Sequence, residues 1–151
     1  LVKFLITSHM ALSDTIPVIK NVFHITYIQN RGAAWGSLQG KRILLLAVTL
    51  LVLIFLVYFY IKMLKMDKYK DLRILFLFVF SGAVGNMIDR IRLGYVIDMF
   101  DFRLINFPVF NVADIYVTCS MIILLILILF KYKDNELEDL FGRSKKGSDQ
   151  E

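Results

Sequence analysis

Cysteine is nearly missing from this chain of 151 residues, which carries only Cys119. No disulfide can form within it, and no histidine lies near Cys119 in sequence to activate a thiol. A small residue buried among helices is therefore the expectation for Cys119. Histidine is scarce too: His9 and His24 stand fifteen positions apart without a neighbouring ligand pattern, so no metal site is expected. The start, Leu1-Val2-Lys3-Phe4-Leu5-Ile6, lacks the charged, apolar and small-residue succession of a signal peptide. No internal repeat is apparent, which argues against the repeat-built transporters. The net charge of +5 is not spread as a phosphate-tracking stripe, so no nucleic acid is expected as a partner.

Apolar residues fill the space these absences leave. The chain is 58% hydrophobic, against roughly 45–50% for a soluble domain. Residues 43–61 run nineteen positions without a charge, enough to cross a bilayer as a helix. Residues 115–130 give sixteen more and residues 74–88 fifteen. Residues 1–12 are too short to span; they read as the C-terminal end of a first transmembrane helix, with an interfacial segment as the alternative. The predicted architecture is an all-α transmembrane bundle of four helices, the first truncated, with a small extracytoplasmic β-element. One membrane-embedded domain is expected over residues 1–133, and a charged, disordered cytoplasmic tail over 134–151.

Orientation follows from charge. The 63–71 connection with its flanks and the tail carry ten Lys and Arg, against seven on the other side. That bias puts the connection and tail in the cytoplasm, and residues 13–42 and 89–114 outside. Residues 18–29 are rich in β-branched and aromatic side chains and predict a short strand or hairpin. Trp35 suits the headgroup region. Gly94 and Pro108 break the helical pattern between the last two spans.

Two aspartates stand out. Asp98 and Asp114 lie sixteen residues apart, Asp114 directly before an apolar run. Ionisable groups near membrane depth are costly and usually survive only where they are paired or work. Two carboxylates at one site can share a proton and activate water. Each polar patch has a plainer explanation: Gly82 and Gly85 as helix-packing residues, Asp89 and Arg90 as interface anchors, Asn111 as a helix cap, Asp98 as a loop residue paired with Arg92 or Arg103. All of them, however, fall on the same predicted side.

The ordered set Asn30-Arg31-Gly32-Ala33-Ala34, Gly82-Ala83-Val84-Gly85-Asn86-Met87-Ile88-Asp89-Arg90, Val96-Ile97-Asp98 and Phe110-Asn111-Val112-Ala113-Asp114 resembles lipoprotein signal peptidase, also called signal peptidase II. The resemblance runs from Leu1 to about Lys133. It implies an aspartyl endopeptidase of the bacterial cytoplasmic membrane with its active site at the extracytoplasmic face. Its partners would be membrane lipids and diacylglyceryl-modified prolipoproteins, cut just before the lipidated cysteine. The family's catalytic aspartates match Asp98 and Asp114, and its supporting polar positions match Asn30, Gly32, Asn86, Asp89, Arg90 and Asn111. No metal or organic cofactor is implied. The family's usual Asp-Gln pair would fall before Leu1, and Lys3 matches the lysine that follows that pair. Trp35 and Met99 stand where Phe is commoner. The alternative reading is a small transporter or proton pathway using the same acids, which predicts charges deep in the spans.

Overall fold

A computed structural model describes residues 1–33, 37–132 and 140 of the chain. Its helices are α1 (Val2–His9), α2 (Arg42–Met63), α3 (Lys70–Arg92) and α4 (Val112–Phe130), and its strands are β1 (Thr15–Ile19), β2 (Phe23–Asn30) and β3 (Val96–Phe102). Among the described residues, three helices are long and apolar enough to cross a membrane: Arg42–Met63, Asp67–Arg92 (α3 with the preceding 3-10 turn) and Val112–Phe130. Each extends beyond its uncharged run, because a helix continues through flanking Lys, Asp and Arg while its backbone ladder stays closed. α3 packs against both α2 and α4. Its approach to α4 is close at Gly82, where a Cβ would overlap the carbonyl oxygen of Ala113 and sit 2.8 Å from Val117. Small residues at such crossings let helix backbones approach where lipid supplies no hydrophobic drive. At Gly85 a Cβ would make only an ordinary contact with the Ala113 side chain.

The expected β-element is present beside the helices. β1, β2 and β3 form an antiparallel sheet in that order. The expected hairpin over 18–29 is present but begins earlier, at Thr15, with its turn inside the predicted segment. Pro17 lies on the edge strand opposite His24, next to a register shift, a place where strands tolerate proline. β3 has no counterpart in the sequence pattern. Val96-Ile97-Asp98-Met99-Phe100-Asp101-Phe102 carries two aspartates, which are depleted in strands, yet it pairs with β2 from Phe23↔Phe102 to Asn30↔Val96. Gly94 makes the turn from α3 into β3 at φ +84°, a conformation that costs glycine nothing. Under the sheet, Met10, Tyr27, Ile97 and Met99 form a buried cluster that includes the end of α1. A second cluster, Met63, Tyr69, Leu72, Tyr132 and Leu140, closes the opposite end of the helices. Trp35 and the tail, apart from Leu140, lie outside the described residues.

Candidate active site

Asp98 and Asp114 come from different elements, and the backbone between them explains how they meet. Phe110 bridges to Phe100: Phe110 N–H donates to the Phe100 carbonyl at 3.1 Å, and Phe100 N–H donates back at 2.8 Å. The segment entering α4 is thus pinned to β3 beside Asp98. Asn111 follows immediately and caps α4. Its Oδ1 accepts from Ala113 N at 2.7 Å and Asp114 N at 3.3 Å, while Asp114 Oδ2 accepts from Asn111 N at 3.0 Å. This reciprocal capping box satisfies otherwise unpaired amides of the first turn. Asn111 therefore does cap the helix, as one reading of the sequence expected, and it also does more.

Its other end reaches the acids. Asn111 Nδ2 donates to Asp98 Oδ1 at 2.6 Å and to Asn86 Oδ1 at 3.1 Å. Asn86, on the last turns of α3, donates from Nδ2 to Asp114 Oδ1 at 2.8 Å. Asn30, at the end of β2, donates to the remaining oxygen of Asp98 at 3.0 Å. The two carboxylates are thus joined through two carboxamides, and each oxygen of both has an N–H donor. Asn111 is fully buried and Asp98 is 2% exposed, so Asp98 is neither a loop residue nor paired with Arg92 or Arg103. Arg103 instead pairs with Asp101 at 2.8 Å.

Burial pushes the Asp98 carboxyl up from the ordinary 3.8 to about 6. Hydrogen bonds from Asn111 and Asn30 and the charge of Lys3 hold it back, while the charge of Asp114 adds to the rise. A carboxyl titrating there changes protonation within a pH unit or so of neutrality, which suits proton transfer.

The remaining expected residues take supporting places. Arg90 does not pair with Asp89; its guanidinium donates to the Gly32 carbonyl at 3.0 Å and ties the segment after β2 to α3. Asn30 Oδ1 accepts from Gly32 N at 2.9 Å, closing the same turn. A Cβ at Gly32 would overlap the Ser37 carbonyl oxygen, so the turn requires glycine. Asp89 pairs with Lys3 at 2.7 Å and accepts from Ile97 N at 3.1 Å. Lys3 is the residue that sequence reasoning does not place in the site. Its position in the family pattern is the only signal, since nothing local links residue 3 to residue 86.

A cleft of about 1130 Å³ opens onto this network. Asn30, Asn86, Arg90, Asp98 and Asp114 are among its lining residues, and Phe107, Val109, Phe110 and Ile115 supply apolar surface. Apolar walls with a few convergent polar groups are the usual make-up of a binding site. Cys119 also lines the cleft and is exposed rather than buried among helices. α4 turns Ala113 and Ser120, two turns apart, toward its neighbours, and Cys119 lies about 100° round from Ser120.

The sequence model of the signal peptidase (SPase) II family matches residues 1–130. A lipoprotein signal peptidase of Clostridioides difficile (strain 630) is 44% identical over 128 residues, 85% of this chain and 84% of that protein. One from Halothermothrix orenii is 42% identical over 139 residues, 92% of this chain and 90% of that protein. A solved structure described as a bacterial membrane enzyme determined by the in meso method superposes with a TM-score of 0.76 at 35% identity. It covers 97% of this chain and 84% of its own.

Proposed function

The chain belongs to the signal peptidase II family, a family of proteases, and from that premise we propose that it removes signal peptides from prolipoproteins with an Asp98–Asp114 dyad. The observation carrying this reading is the Asp98–Asn111–Asn86–Asp114 hydrogen-bonded chain, whose two acids and Asn86 line the cleft. Burial, with a smaller push from the charge of Asp114, raises the Asp98 carboxyl to about 6, so Asp98 is the member of the pair able to carry a proton near neutral pH. The ionised partner takes a proton from water, and the resulting hydroxide attacks the scissile carbonyl carbon. The protonated partner donates to the carbonyl oxygen as it becomes tetrahedral. On collapse the C–N bond breaks, and the amine leaves with a proton returned from the dyad. Asn111 and Asn86 keep the two carboxylates at fixed spacing through this cycle, and Arg90 and Asn30 hold the cleft wall on which the peptide would lie.

The substrate class is a prolipoprotein carrying diacylglycerol on its cysteine, cut just before that residue. A cleft lined by both polar and apolar residues suits a peptide that enters with acyl chains attached. The protein works in the bacterial cytoplasmic membrane as a four-helix unit, with the dyad at the extracytoplasmic face. A substrate anchored by its signal helix then diffuses only in the membrane plane and meets the dyad without entering the bilayer centre.

Cleavage of a diacylglyceryl-modified prolipoprotein in detergent or proteoliposomes tests the proposal, with Asp98→Asn and Asp114→Asn beside the wild type. Turnover is expected to fall by at least about 1000-fold in each, since the dyad acts as a unit. Near wild-type turnover in either folded variant would sink the dyad. Asp114→Asn keeps an oxygen that can accept from Asn111 N, so the cap survives and folding is separable from chemistry.

A further inference from the structure

Lys3 stands on α1, yet it touches the supports of both acids. Its Nζ donates to Asn86 Oδ1 at 2.9 Å and to Asp89 Oδ2 at 2.7 Å. Asn86 and Asp89 lie one turn apart on the same face of α3. Asn86 passes the contact on to Asp114, and Asp89 passes it on to the backbone N–H of Ile97, directly before Asp98. Resting on the peptidase reading above, we propose that Lys3 is a positioning residue of the dyad, whose ammonium fixes the Asn86 carboxamide with its Nδ2 toward Asp114.

A carboxamide is nearly symmetric in shape, so its orientation is set by partners rather than by packing. Asn86 Oδ1 accepts from both Lys3 and Asn111, and its Nδ2 faces a carboxylate oxygen. Turned over, it would set donor against donor at two contacts and acceptor against acceptor at the third. A charge-assisted bond to the oxygen also polarises the amide and strengthens its N–H as a donor to Asp114. The competing explanation is that Lys3 only neutralises Asp89, whose side chain is 12% exposed. That explanation makes Lys3 dispensable once Asp89 loses its charge. The positioning role does not, because the bond to Asn86 is lost either way.

Three variants separate the two: Lys3→Met, Asp89→Asn and the charge-balanced Lys3→Met/Asp89→Asn, in which the amide oxygen introduced at position 89 can still accept from Ile97 N. In prolipoprotein cleavage, the double variant is expected to keep the fall in kcat of Lys3→Met, about 10- to 100-fold for a charged hydrogen bond, with KM little changed. Return of kcat to the wild-type value in the double variant would overturn the proposal. A second readout needs no substrate: the side-chain amide signal of Asn86 in protein labelled with nitrogen-15 at asparagine, assigned by its loss in Asn86→Ala. Its protons are expected to move upfield in Lys3→Met and in the double variant, but to stay in Asp89→Asn. An Asn86 signal that Lys3→Met leaves in place would refute the contact's role. A wild-type protein that cleaves no prolipoprotein would refute the peptidase reading instead, while the amide signal still decides the hold of Lys3 on Asn86.

Discussion

Asp98 makes stability depend on pH in the direction opposite to most acids. An ordinary ion-paired aspartate has a depressed folded-state pKa and stabilises above its unfolded value. Asp98 is raised by burial from 3.8 to about 6, so between those values the folded chain binds a proton that the unfolded chain has lost. Stability therefore falls as pH rises through that window and is level on either side. A shift of this size corresponds to about 3 kcal/mol, and near 2% exposure leaves little solvent screening to reduce it. For a chain of this length that is on the order of 5–10 °C in apparent Tm. The perturbation is Asp98→Asn, and the assay is thermal unfolding of both proteins in one detergent at several pH values from 4 to 8. Other acids titrate in both and largely cancel in the difference. The substitution adds an offset, because an amide at 98 sets an NH2 against the Nδ2 of Asn30 or Asn111, but that offset does not vary with pH. The variant should therefore gain on the wild type as pH rises from 4 to 7 while remaining inactive. A difference that is flat, or that slopes the other way, would refute the claim that burial dominates at Asp98.

Two further outcomes follow from the packing around the dyad. Asn111→Ala removes the α4 cap and a 2.6 Å bond to Asp98, so the protein should lose about 2 kcal/mol in unfolding. The remaining activity should show its Asp98 titration moved upward, which a pH–rate profile reads; an unmoved profile would mean Asn111 does not set that carboxyl. Gly82→Ala drives a methyl into the Ala113 carbonyl, so α3 and α4 must separate at a cost of about 1–3 kcal/mol, and Asn86 moves from Asp114. A lower Tm accompanied by lower turnover is expected; unchanged values of both would show that the crossing has slack.

Much of the frame is visible in the one-dimensional pattern. Residues 43–61, 74–88 and 115–130 each sit inside a helix because an uncharged run must satisfy its backbone internally wherever water is absent. The clustering of Asn30, Asn86, Asp89, Arg90, Asp98, Asn111 and Asp114 was also foreseeable, since spans of known length sort alternate connections to one side. β3 was not visible. Its pattern is shortened by Asp98 and Asp101, and what makes it a strand is pairing with β2, some seventy residues earlier in the chain. Lys3 was hidden for the same reason, being 83 residues from Asn86.

Composition and the uncharged runs thus determined by themselves that, among the described residues, three helices are long and apolar enough to cross a membrane, and that the polar residues gather between them. Those properties depend on hydropathy and helix length, which are local. Tertiary structure alone decided that Asp98 is buried on a strand and that the Phe100↔Phe110 bridge brings α4 to it. It alone decided that two asparagines join the acids, with a lysine behind one of them. Hydrogen bonds are directional and short, so which donor meets which oxygen is fixed only when distant segments have been packed to within an ångström.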